Sequence, residues 1–132
     1  ACGYPIAGMV RDYHPAGYPP GEPMVPHGQS VSLTAPAAFR FTFATSPERH
    51  LRAASLLAPD DEAAADPAER LPAALTALMR DIGVPNGLAA VGYSNADVPE
   101  LVEGAVKQQR LLAVAPCAVT AENLEAIFRG SL

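Results

Sequence analysis

Apolar positions recur at three- and four-residue spacing along most of this chain, the period of a helix with one buried face. Ser46-Pro47-Glu48 combines an N-cap residue, a first-turn proline and a first-turn acid, and Leu51, Ala54 and Leu57 then share a face. Asp66-Pro67-Ala68-Glu69 has a capping-box arrangement ahead of Leu71, Leu75, Leu78 and Met79. Gly83 marks the end of that helix, with Ile82 and Val84 placed to make a hydrophobic contact across the cap. Asn95-Ala96-Asp97 predicts another start, before Val98, Leu101, Val102 and Val106, and Lys107 and Arg110 suit the negative end of its dipole. A last helix is predicted after Thr120, with Leu124, Ile127 and Phe128 on one face and Arg129-Gly130 at its end. The fold these patterns predict is all-α, a helical bundle.

The first fifth is patterned differently. Gly17 to Pro26 reads GYPPGEPMVP, whose prolines remove donors and restrict their predecessors, so an extended loop is expected. Upstream, Ile6, Met9, Val10 and Tyr13 predict the end of a helix that begins before Ala1. Val31, Leu33, Ala35 and Phe39 suggest a helix that Pro36 breaks or kinks. Phe39 to Thr45 (FRFTFAT) alternates like a strand, the only stretch that does, over too short a window to displace the helical reading. The acidic, alanine-rich run Asp60 to Ala65 is expected to be a solvated loop rather than a catalytic carboxylate pair, and Pro85 to Tyr93 a turn-rich connection.

With 132 residues the chain can form one domain with a modest core, thin because much of its apolar content is alanine. Its formal net charge of -5, with nine Lys and Arg scattered, disfavours nucleic acid and anionic membrane surfaces as partners. The longest apolar run, Leu111 to Ala121, is interrupted by Pro116 and Cys117, which predicts a soluble chain with no membrane span. Cys2 and Cys117 form no CxxC pair, so reduced thiols in a cytoplasmic or mitochondrial-matrix compartment are the expectation. The start Ala1-Cys2-Gly3 has neither an initiator methionine nor a signal-peptide pattern, a second hint of truncation at the N-terminus.

Chemistry-bearing motifs are few. Val25-Pro26-His27-Gly28 places an imidazole at the first turn of a helix that opens on proline, beside a glycine that lets another surface approach. One histidine cannot hold a catalytic metal, and no other His, Cys, Asp or Glu stands at a convincing ligand spacing from His27. His14 falls in the irregular segment, and His50, beside Arg49, is expected to face water. There is no HxxxH, GxSxG, GxGxxG or P-loop, and neither cysteine has a neighbouring histidine. Read alone, this is part of an enzyme or a helical interaction module.

Tyr4-Pro5-Ile6 with Gly8, the long loop, and Val25-Pro26-His27-Gly28 resemble the C-terminal domain of iron-containing (group III) alcohol dehydrogenases. Ser46 to Leu51 (SPERHL), Gly87 to Asp97 (GLAAVGYSNAD) and Leu112 to Cys117 (LAVAPC) extend the resemblance nearly end to end, nearest to the hydroxyacid-oxoacid transhydrogenase branch. The resemblance implies a two-domain enzyme in which residues 1–132 form a partial helical domain and an N-terminal nucleotide-binding domain is missing. It implies Fe2+ or Zn2+ held by one Asp and three His, with His27 as the last of them and the other ligands upstream of Ala1. It also implies NAD(P) as the hydride carrier and transfer from a hydroxyacid such as 4-hydroxybutyrate to an oxoacid such as 2-oxoglutarate.

Many relatives have a second, non-ligand histidine near the substrate where this chain has Tyr4, so Tyr4 is a candidate for contact with substrate or cofactor. Arg11 is a candidate partner for the substrate carboxylate. The isolated chain is expected to be inactive and to bind no cofactor by itself. Ile6, Met9 and Met24 are expected on the apolar surface facing the missing domain, and a homodimer is left open. A relative acting on a simple alcohol or lactaldehyde is the alternative within the family.

Overall fold

The computed structural model describes residues 1–58 and 65–132. Its helices are α1 (Gly3–Gly8), α2 (His27–Ser32), α3 (Ala35–Thr42), α4 (Pro47–Leu57), α5 (Pro67–Asp81), α6 (Val98–Val106), α7 (Gln109–Leu112) and α8 (Ala121–Arg129). Short 3-10 turns cover Phe43–Thr45, Leu88–Val91 and Asn95–Asp97, and there is no strand among the described residues. The all-α expectation holds. The acidic run from Asp60 falls in 59–64, outside the described residues.

Proline sets most of the helix starts. Pro36, Pro47, Pro67 and Pro99 each occupy one of the first two helical positions, where a missing N–H costs nothing. Pro36 therefore opens α3 rather than kinking a longer helix. The alternation in Phe39 to Thr45 is helical as well: Phe39 and Phe43, one turn apart, both pack edge-on against the His50 ring. Helix α1 closes at Gly8, where the Met9 N–H donates to the Pro5 carbonyl, so Val10 and Tyr13 lie in the loop rather than on a helix.

The caps depart from expectation in instructive ways. Asp66 caps α5 by accepting from the Ala68 N–H at 2.9 Å, but Glu69 does not reach back. Its carboxylate is taken by Arg40 of α3, whose Nη2 donates to Oε2 at 2.6 Å. At the other end Gly83 adopts φ +72°, and the Val84 N–H donates to the Met79 carbonyl at 2.8 Å, a Schellman-type stop. Ile82 is 64% exposed, so it buries little at this cap, where a hydrophobic contact was the expectation. Ser94, not Asn95, caps the turn into α6, in a reciprocal pair with Asp97. Thr120 and Asn123 make the equivalent pair at α8.

Helix α1 packs on α2 and α6, α6 on α8, and α3 on both α5 and α8, while α4 covers α5. The core joins Ile6, Val25, Leu33, Leu88, Val91, Val98, Leu101, Leu124 and Phe128, each contributing on the order of 1.5–3 kcal/mol by burial. Ile6 is fully buried here, so it is not part of an exposed docking surface as expected; Met9 is half-buried and Met24 exposed. Burial of Ile6 follows from α1 lying between α2 and α6.

Candidate functional site

His27 begins α2, and its position is set from below. Val25 and Pro26 are buried, Pro26 holds the extended N-cap conformation (φ -53°, ψ 140°), and the buried Ser30 hydroxyl donates to the His27 carbonyl at 2.8 Å. The preceding loop is pinched at its neck, where the Met24 N–H donates to the Tyr13 carbonyl at 2.8 Å. With its backbone so fixed, the His27 side chain stands exposed.

Tyr4 comes to the same face from α1. Gly3 makes this possible: a Cβ there would stand 2.9 Å from Val31 Cγ2 and 3.0 Å from Ser30 Oγ, so only glycine lets α1 lie directly on α2. The Tyr4 and His27 rings meet edge-on with centroids 5.3 Å apart. From α7, Arg110 donates through Nη2 to the Tyr4 hydroxyl at 3.0 Å. Three residues far apart in sequence thus form one exposed row, Arg110, Tyr4 and His27.

Arg11 takes a different place. It pairs with Asp97 at the start of α6, its own side chain 60% exposed and the carboxylate 5% exposed. The Ser94 backbone N–H, joined by the Arg11 guanidinium, holds the Asp97 carboxyl below the usual range. Arg11 also stands at the rim of an open cavity of about 320 Å³ that Tyr13, Val91 and Tyr93 help to line. Tyr93 is buried, its hydroxyl donates to the Ile6 carbonyl at 2.7 Å, and burial pushes its pKa up to about 12.

Neither remaining histidine hydrogen-bonds or stacks with the row of Arg110, Tyr4 and His27 among the described residues. His14 is exposed in the loop. His50 does not face water as expected: Nδ1 lies 2.8 Å from the Ser46 carbonyl, Nε2 3.2 Å from Thr42 Oγ1, and the ring is flanked by Phe39 and Phe43. Cys2 and Cys117 are free thiols, and burial raises the Cys2 pKa, which lowers its thiolate fraction. An apolar groove of about 560 Å³ between α3, α4 and α5 shares no lining residue with the His27 face.

Residues 13–132 match the Fe-containing alcohol dehydrogenase family, C-terminal. The chain belongs to the iron-containing alcohol dehydrogenase family. The human (Homo sapiens) mitochondrial hydroxyacid-oxoacid transhydrogenase is 45% identical over 131 residues, which are 98% of this chain and 28% of that protein. The probable mitochondrial transhydrogenase of Dictyostelium discoideum is 39% identical over 132 residues, 24% of its length. Among solved structures, 1,3-propanediol oxidoreductase superposes with a TM-score of 0.69 at 29% identity, covering 82% of this chain and 28% of that one. The alcohol dehydrogenase from Oenococcus oeni gives 0.70 at 25%. The chain therefore spans about a quarter of the length of the iron-containing alcohol dehydrogenases it matches.

The family implies a metal and a nicotinamide cofactor in the whole protein. Against that, the described residues bring no three His, Cys, Asp or Glu side chains together. Of the two exposed imidazoles, His14 lies in the loop, whereas His27, whose ring nitrogens have no hydrogen-bond partner among the described residues, is fixed at a helix start beside Tyr4. That fits a chain contributing a single ligand to an ion shared with other parts of the protein. No described helix is long and apolar enough to cross a membrane.

Proposed function

We propose that this chain is the ligand-bearing helical part of a metal- and nicotinamide-dependent hydroxyacid-oxoacid transhydrogenase, with His27 as its one metal ligand. The observation that carries the reading is the exposed His27 imidazole, fixed at the first turn of α2 and backed by Tyr4, in a chain 45% identical to the human transhydrogenase. Fe2+ or Zn2+ bound there would polarise the alcohol or carbonyl oxygen while NAD(P) carries the hydride. This chain's own share of the work is positional. The Ser30 hydroxyl and the buried Val25-Pro26 step hold the His27 backbone, and the Tyr4 ring limits how far the imidazole swings. Tyr4, exposed beside it, walls the place where a small substrate would sit.

The identities favour the transhydrogenase branch over a relative acting on a simple alcohol, since 1,3-propanediol oxidoreductase stands at 29%. The substrates supported are a hydroxyacid such as 4-hydroxybutyrate and an oxoacid such as 2-oxoglutarate. His27→Ala in the full-length enzyme tests the reading. Metal content measured by elemental analysis should fall, and turnover should drop by more than the about 10–100-fold that outer-shell changes cost. Wild-type metal content and turnover in that variant would refute it.

A further inference from the structure

From the row of side chains on the His27 face we infer that Arg110 is the residue that recognises the carboxylate shared by hydroxyacid and oxoacid substrates. The inference rests on the transhydrogenase reading and adds to it the group that selects for acids. A small acid bound near His27 needs a local cation to hold its carboxylate. Five of the nine Lys and Arg stand beside a carboxylate, Arg80 next to Asp81 among them. Arg11 pairs with Asp97, Arg40 with Glu69, Lys107 with Glu103 and Arg129 with Glu125.

Arg49 and Arg52 are also exposed without an ion pair among the described residues, but Arg110 alone of the three hydrogen-bonds to the row that ends at His27. It is exposed, it has no carboxylate partner among the described residues, and its one side-chain hydrogen bond among them goes to the neutral Tyr4 hydroxyl. A guanidinium has five N–H donors in a planar fork, so one bond to a phenol leaves a bidentate edge for a carboxylate. The Tyr4 bond also fixes where that edge lies: the ring that accepts from Arg110 is the ring that packs on His27. A carboxylate held at Arg110 therefore has its carbon chain laid along Tyr4 toward His27, the end at which the reacting oxygen belongs. Arg110 comes from α7, which no spacing in the sequence links to Tyr4.

The test uses the full-length enzyme and two substrates of one carbon length, 4-hydroxybutyrate and the neutral 1,4-butanediol, with metal content measured alongside. Arg110→Ala should raise KM for the hydroxyacid about 10- to 100-fold, the cost of a lost charge-assisted hydrogen bond, while KM for the diol and metal content stay at wild-type values. Arg110→Lys, which keeps the charge but not the fork, should fall between. If acid and diol shift together, or neither shifts, in a wild type that prefers the acid, the role of Arg110 is overturned and the substrate reading stands. If instead Arg11→Ala removes the preference for the acid and Arg110→Ala does not, the role passes to Arg11. A wild type that turns over the diol and ignores the acid overturns both.

Discussion

Gly104→Ala puts the α1–α6 contact to a direct test. A Cβ at Gly104 would stand 2.7 Å from Pro5 Cβ and 3.4 Å from Pro5 Cγ, whereas carbon atoms rest at about 3.5–4.0 Å. One of the helices must retreat by about 1 Å, because Pro5 is buried and its ring has no rotamer to swing away. Overpacking of this kind costs about 1–3 kcal/mol. Against it stands the gain of replacing a helical glycine, about 0.8–1 kcal/mol. The net expectation is a loss of about 0–2 kcal/mol, read as a lower urea midpoint for the 132-residue chain followed by circular dichroism. A gain of about 1 kcal/mol, as propensity alone dictates, would show that α1 and α6 do not touch at Pro5 and Gly104. The same retreat moves Tyr4 on α1, so the full-length enzyme should lose activity as well.

Gly28 gives the opposite expectation, since nothing lies within 4 Å of a Cβ built there. Gly28→Ala should stabilise the isolated chain by about 0.3–0.8 kcal/mol in the same titration, yet lower kcat/KM of the full-length enzyme about tenfold or more, because the position beside His27 is where another surface must come close. Equal kinetics would remove that role for the glycine. Tyr93→Phe leaves the Ile6 carbonyl unpaired and should cost about 1–3 kcal/mol at neutral pH. In the native chain Tyr93 keeps its proton to about pH 12, while an unfolded tyrosine loses it near 10, so wild-type stability should decline as pH rises through that interval. Chemical unfolding at stepped alkaline pH should show a shallower decline in Tyr93→Phe; an identical slope would rule out the burial argument.

Local chemistry carried most of the fold. Pro47 and Pro67 opened helices where expected, Thr120 capped the last one, and Gly17 to Pro26 stayed irregular, because each signal involves residues within a few positions of one another. What failed involved partners distant in sequence. The spacing of Glu69 fits a capping box, but Arg40, 29 positions away, takes its carboxylate instead. Nothing along one helix reveals that Phe39 and Phe43 of the neighbouring segment flank His50, so its own helix predicts a solvent-facing ring. Burial of Ile6 comes from α2 and α6 together, which no local pattern in the sequence reveals. The site divides in the same way: His27 stood out through its Pro and Gly neighbours, while Arg110 meets Tyr4 across 106 positions and left no trace in any spacing.

Gly3 seats α1 on α2 by direct approach to Val31 and Ser30, a contact separate from the one that the exposed Tyr4 ring makes with His27. Scaffold and reactive face are thereby uncoupled at this point. The aromatic ring can be exchanged for a smaller or more basic group while the helix beneath keeps its seat, which makes position 4 a place where substrate preference can be retuned at little cost to folding.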